Sequence, residues 1–192
     1  MPRIIAGTAK GRRLTVPGGA RPTTDQVREA AFSVIAGWAG TAAAASRALD
    51  GCSFLDLYAG SGAVALEAAS RGARPVCAVE SDRRAATVIG RNAAAAGLPV
   101  DVVQRTVEAF AARPVRTPFD VVWADPPYDV PDETVDALLA ALAANGALAA
   151  SCLVVVERDK RSRPPAWPDG VEALANRVYG DTALHFATRG AA

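Results

Sequence analysis

From residue 53 onward, short apolar runs alternate with stretches of helical periodicity, and this alternation restricts the fold more than any other feature of the chain. The runs are Ser53–Tyr58, Val76–Glu80, Val100–Gln104, Phe119–Ala124 and Leu153–Glu157. Between them, about residues 62–71, 82–96, 107–112 and 131–144 carry apolar side chains at helical spacing. Gly72 and Gly97 stand where helix C-caps belong. Strands this uniformly apolar are buried on both sides, so the pattern predicts an α/β fold with a parallel sheet and helices on both faces. Beyond a charged stretch at 158–165, Val171–Val178 and Thr182–Ala187 flank Tyr179-Gly180-Asp181. They are predicted to close the sheet as an antiparallel hairpin.

The 192 residues suit one domain of about 150 residues with roughly 40 left over. The nominal apolar content is 51%, but 44 of those residues are alanine, which leaves an ordinary globular composition. No run approaches the roughly 20 apolar residues of a membrane span. Met1 to Gly7 has no signal-peptide core before Lys10 and Arg12, and a cytoplasmic protein is expected. Cys52, Cys77 and Cys152 form no metal-binding or disulfide pattern, so reduced, buried thiols and no metal are expected. His185, the only histidine, is expected to be structural.

Charge is unevenly placed. Arg3, Lys10, Arg12, Arg13, Arg21 and Arg28 face only Asp25 within residues 1–28, a local sum of +5 against a net charge of +1 for the whole chain. The same segment reads as two short extended pieces, 3–7 and 12–16, joined through Gly11, followed by a break at 17–22. A helix then starts at Thr23 or Thr24 and ends near Trp38. Residues 39–51 read as a linker or frayed helix.

Two motifs carry chemistry. The first, Asp56-Leu57-Tyr58-Ala59-Gly60-Ser61-Gly62, joins a strand to a helix. Its glycines permit positive φ and close approach of a ligand to free helix N–H groups. Glu80-Ser81 ends the next strand, 24 residues after Asp56, where an acid meets ribose hydroxyls in nucleotide-binding folds. On these features alone NAD and S-adenosylmethionine both fit. The second motif, Asp125-Pro126-Pro127-Tyr128, follows the strand at 119–124 on the sheet edge where such folds bind ligands. Its two prolines present a fixed carbonyl beside the Asp125 carboxylate. Two acceptors holding the hydrogens of an exocyclic base amine can aim its lone pair and stabilise charge developing on nitrogen, with Tyr128 stacking on the base. Hydride transfer has no use for that arrangement.

The two motifs together resemble the S-adenosylmethionine-dependent amino-methyltransferases. Arg3-Ile4-Ile5-Ala6-Gly7, Gly11-Arg12-Arg13-Leu14 and Arg21-Pro22-Thr23-Thr24-Asp25-Gln26-Val27-Arg28-Glu29 are similar to the bacterial RsmD family of small-subunit (16S) ribosomal RNA (guanine-N2)-methyltransferases. The resemblance implies a class I methyltransferase fold with a seven-stranded Rossmann-like sheet at 39–192 and a basic hairpin-helix extension at 1–38. It implies a monomer acting on the small ribosomal subunit. Asp56, Tyr58, Ala59, Gly60, Gly62, Glu80 and Ser81 are then expected at S-adenosylmethionine, and Asp125 to Tyr128 at the guanine. Arg3, Lys10, Arg12, Arg13, Arg21 and Arg28 are expected at RNA phosphates. The family often has Asp or Asn where this chain has Thr106-Val107, which makes those two the candidates for the adenine subsite. The run Arg158 to Arg163 borders the site edge and is read as either a docking aid or a solvated surface. The rival readings are a DNA amino-methyltransferase, an NAD-dependent oxidoreductase and a non-catalytic RNA-binding assembly protein.

Overall fold

The computed structural model describes residues 2–18, 23–41 and 46–190. Helix α1 (Asp25–Trp38) is followed by β1 (Phe54–Leu57), α2 (Ala63–Ser70), β2 (Val76–Glu80), α3 (Arg83–Ala96), β3 (Asp101–Gln104), α4 (Val107–Ala111), β4 (Phe119–Ala124), α5 (Asp132–Ala144), β5 (Leu148–Asp159), β6 (Val171–Tyr179) and β7 (Thr182–Arg189). The sheet order is β3-β2-β1-β4-β5-β7-β6. The first five strands are parallel, and β7 runs antiparallel to both of its neighbours. Strand β5 begins five residues before the expected Leu153, and its early part meets β4 only at Leu148, opposite Phe119.

Period-two alternation divides the core between the faces. Phe54, Ala78, Trp123 and Val155 point to the side covered by α1, α2 and α3. Leu55, Leu57, Val122 and Val154 point to the side covered by α4 and α5. Helix α2 is buried at every position and half alanine, which lets its backbone sit close to the sheet.

The N-terminal segment belongs to the first of these cores through Ile4, Leu14, Val27, Phe32 and Ile35. The expected hairpin forms over a short span: Arg3 bridges Arg13 antiparallel, Ile4 N–H donates to the Arg12 carbonyl, Gly11 N–H to the Ile4 carbonyl and Leu14 N–H to the Pro2 carbonyl. The donors a longer ladder would use go to α2 instead. Ile5 and Ala6 N–H donate to the Glu67 carboxylate at 2.6 and 3.0 Å, and Thr8 and Ala9 N–H donate to the Ser70 carbonyl and hydroxyl. Further on, Asn92 of α3 exchanges two hydrogen bonds with the Thr15 backbone. Thr24 caps α1 by accepting from Val27 N–H.

Arg28, expected at RNA phosphates, is fully buried and is corrected here to a structural residue. Its guanidinium donates to the Arg3 carbonyl at 2.6 Å, to Asp25 at 2.8 Å and to the Thr23 carbonyl at 3.4 Å. It thereby ties the start of α1 to the bridge. Arg21 lies outside the described residues.

Glu67 is fully buried and also accepts from Arg71 Nε at 2.7 Å. Truncating one partner of a buried, hydrogen-bonded pair strands the other. Glu67→Ala is therefore expected to lower the unfolding free energy in urea by about 3–5 kcal/mol; a loss below about 1 kcal/mol would show that the N-terminal segment is not anchored there.

Candidate active site

Four carboxylates stand at the carboxyl ends of four parallel strands. Asp56 belongs to β1, Glu80 to β2 and Glu157 to β5, and Asp125 follows directly on β4. Each extends the alternation that points Phe54, Ala78, Val155 and Trp123 to the α1–α3 face. They meet in a cavity of about 440 Å³ that is also lined by Tyr58, Ala59, Gly60, Ser81, Pro126, Pro127 and Tyr128. The two motifs converge because β1 and β4 are paired, with Leu57 opposite Ala124, while the helices that follow cover opposite faces.

The glycine loop is fixed from both sides. Asp56 Oδ2 accepts from Ala65 N–H at 2.9 Å, bracing the first turn of α2. Glu80 Oε2 accepts from Gly60 N–H at 2.7 Å and Oε1 from Asp82 N–H at 2.8 Å, so this acid shapes the loop as well as lining the cavity. Tyr58 is the only non-glycine residue with positive φ among the described residues, at 59°, a conformation costing about 1–3 kcal/mol. Gly62 does not line the cavity. A Cβ there would lie 2.8 Å from Ile89 Cγ2 at a φ of 75°, so this glycine serves the packing of α2 on α3.

At the second motif, Val130 N–H donates to the Pro127 carbonyl at 3.0 Å. The Pro126 carbonyl takes no hydrogen bond among the described residues. Tyr128 is 58% exposed at the rim, open to a stacking partner.

Two residues not singled out from the sequence complete the floor. Thr23, just ahead of α1, places its hydroxyl 3.0 Å from Glu157 Oε2 and 3.4 Å from Asp125 Oδ2. Burial pushes Glu157 up to about 8, with the Asp125 charge adding to it. Burial likewise pushes Asp56 up to about 8 against the bond from Ala65, and Asp125 up to about 6 against Thr23 and Arg158. Glu157 carried a sequence signal as the acid closing the fifth strand; Thr23 carried its place at a helix start and within the block similar to the RsmD family, neither of which points to the cavity.

Thr106 and Val107 are not brought to the cavity. The Thr106 hydroxyl caps α4 by accepting from Ala109 N–H at 3.2 Å, and Val107 is buried on the opposite face. Arg12 and Arg13 are exposed with Lys10 and have no ion-pair partner among the described residues. Arg3 is exposed and lies 3.5 Å from Asp25. The second basic run offers no such free charge: Arg158, Lys160, Arg161 and Arg163 pair with Asp132, Asp181, Asp159 and Asp136. Cys52, Cys77 and Cys152 are free thiols, and His185 is buried on β7.

A family model described as "Conserved hypothetical protein 95" matches residues 2–188. A protein of Escherichia coli named "Ribosomal RNA small subunit methyltransferase D" is 34% identical over 97% of this chain and 89% of its own length. The chain belongs to the RsmD family. "Putative rRNA methyltransferase YlbH" of Bacillus subtilis is 30% identical over 95% of this chain and 96% of its own. A solved structure described as a putative methyltransferase from Escherichia coli matches with a TM-score of 0.83 at 33% identity, covering 100% of this chain and 99% of that one. The seven-stranded α/β sheet is that of the class I S-adenosylmethionine-dependent methyltransferases, as the sequence led one to expect.

The raised carboxylates give the protein a pH signature. Their stabilising contribution is complete below the ordinary carboxylate range and is lost as pH rises through about 6 for Asp125 and about 8 for Asp56 and Glu157. The urea midpoint of the ligand-free chain is expected to fall between pH 5 and 8.5, and Asp56→Asn to flatten that fall. A midpoint that stays level or rises would contradict the assigned burial.

Proposed function

We propose that this chain transfers the methyl group of S-adenosylmethionine to the exocyclic N2 amine of a guanine in small-subunit ribosomal RNA. The observation that carries the reading is the meeting of the Asp125 carboxylate and the unengaged Pro126 carbonyl with the glycine loop in one cavity. Family membership supports a ribosomal RNA substrate, since relatives over nearly the whole chain are named ribosomal RNA methyltransferases.

The donor set fits the cofactor. Asp56, Glu80, Asp125 and Glu157 line the cavity, and no arginine or lysine does so among the described residues. A sulfonium and an ammonium cation suit such a lining, whereas the pyrophosphate of NAD would meet like charge there; this disfavours the oxidoreductase reading. When bound, the cofactor supplies an electrophilic methyl group. The protein holds the guanine unstacked against Tyr128, and Asp125 and the Pro126 carbonyl take the hydrogens of the amine. Held so, the nitrogen lone pair would be fixed in direction, and positive charge growing on nitrogen would meet a carboxylate. Methylation would leave a surplus proton on the nitrogen, and Asp125 is the group placed to take it.

Arg3, Lys10, Arg12 and Arg13, all exposed on the N-terminal segment, would contact phosphates without reading sequence. An RNA substrate of this kind places the protein in the cytoplasm; among the described residues no helix is long and apolar enough to cross a membrane.

Incubation with labelled S-adenosylmethionine and small subunits lacking the modification is expected to give methyl transfer, with duplex DNA a poor competitor. Folded Asp125→Ala should lose roughly 100- to 1000-fold in kcat. No transfer, or transfer untouched by Asp125→Ala, would overturn the proposal, and preferred transfer to duplex DNA would favour the DNA reading. Replacing Lys10, Arg12 and Arg13 together by alanine is expected to act through KM and to reduce the salt dependence of binding by about 2 in log–log slope. An unchanged slope would remove this face from the RNA contact.

A further inference from the structure

We infer that Asp125 and Glu157 share one proton through the Thr23 hydroxyl, with that proton on Glu157, so that the N-terminal segment keeps Asp125 ionised as the acceptor for the substrate amine. This rests on the amine-methylation reading above.

The geometry has room for one proton more than the Thr23 hydroxyl supplies. Thr23 Oγ1 stands 3.0 Å from Glu157 Oε2 and 3.4 Å from Asp125 Oδ2. A hydroxyl has a single hydrogen and can donate to only one of them. Were both carboxylates ionised, the other contact would set lone pair against lone pair, between two negative charges in a largely buried site. One added proton gives a continuous chain from a neutral carboxyl O–H to the Thr23 oxygen, and from the Thr23 O–H to the remaining carboxylate.

The surroundings decide which acid carries the proton. Glu157 is 6% exposed and faces Asp125 beyond β4 and Asp56 on β1, both of which oppose its ionisation. From β7 it is paired with Leu184, and one step along, His185 pairs with Val156; burial lowers the pKa of this histidine and leaves it uncharged. Arg158, next on β5, is aimed at the opposite face, where it bonds Asp132 at 2.9 Å and the Val130 carbonyl at 2.7 Å. Its field favours the Asp125 anion, and a Thr23 oxygen that accepts from a neutral Glu157 is left to donate its hydrogen to Asp125. The proton therefore rests on Glu157, the group pushed up to about 8, while Asp125 stands at about 6.

Two consequences follow for the reaction. Glu157 is already filled, so the proton released by the methylated nitrogen leaves from Asp125 to solvent and is not stored on Glu157. Above the Glu157 pKa the Thr23 hydrogen turns to the nearer Glu157, and Asp125 loses its donor. Glu157 and Thr23 are positioning residues, acting on the substrate only through Asp125. Buried Arg28 contributes by holding the Thr23 carbonyl at 3.4 Å.

Two measurements on the full chain test this. A carbon-13 NMR titration of side-chain carboxyls, with the Glu157 signal assigned by its loss in Glu157→Gln, is expected to show Glu157 titrating near pH 8 in the ligand-free protein. Titration in the ordinary glutamate range would overturn the inference. In methyl transfer, Glu157→Gln, whose amide donates to Thr23 as a neutral acid would, is expected to exceed Glu157→Ala in kcat by at least tenfold and to lack the wild-type fall of kcat/KM above pH 8. Thr23→Ser is expected to recover activity that Thr23→Val loses. A glutamine variant as poor as the alanine variant, both folded by circular dichroism, would overturn the inference, as would an alkaline limb that persists in it. The titration needs no substrate, so a wild type that transfers no methyl group would sink the amine-methylation reading while the NMR result still decides the shared proton.

Discussion

Strands β1 and β4 lie side by side with Leu57 opposite Ala124, yet the chain leaves them for opposite faces of the sheet, through α2 on one side and α5 on the other. That divergence opens a crevice no neighbouring loop can fill. The rest of the site follows from it. The glycine loop and the Asp-Pro-Pro-Tyr turn become its two walls, and the strand alternation sends an acid from each of four strand ends into the same space.

Gathering acids in a buried space costs stability in the empty protein, and several neighbouring contacts offset it. Ala65 N–H on Asp56, Gly60 and Asp82 N–H on Glu80, and the Thr23 hydroxyl between Asp125 and Glu157 each place a donor against a carboxylate. A bound cation would supply the missing opposite charge, so ligand binding and folding stability are linked. The N-terminal segment is part of this arrangement and more than a docking arm. It is fastened to α2 by Glu67 and Ser70 and to α3 by Asn92, and it ends by delivering Thr23 to the cavity floor.

Much of this was legible in the chain. The strands and helices declared themselves through their own periodicity and caps, and both motifs occupy the strand ends assigned to them. What escaped were facts set by tertiary partners. Arg28 reads as one more cation in a basic segment, and only the carbonyls of Arg3 and Thr23 explain its burial. Arg158 to Arg163 reads as a basic run because the acids that neutralise it lie on α5, on the turn before β7, or in its own midst. The hairpin at 3–16 is shorter than its sequence suggests because a distant glutamate takes the Ile5 and Ala6 donors. Thr106 fell out of the site because its hydroxyl serves a helix cap.

The central claim is that the paired acceptors at Asp125 and Pro126 select an exocyclic amine. Digesting small-subunit RNA methylated by this chain to nucleosides and locating the label by mass spectrometry tests it most directly. The account predicts N2-methylguanosine; label on a ribose oxygen or on a ring carbon, neither of which needs two acceptors for amine hydrogens, would contradict it.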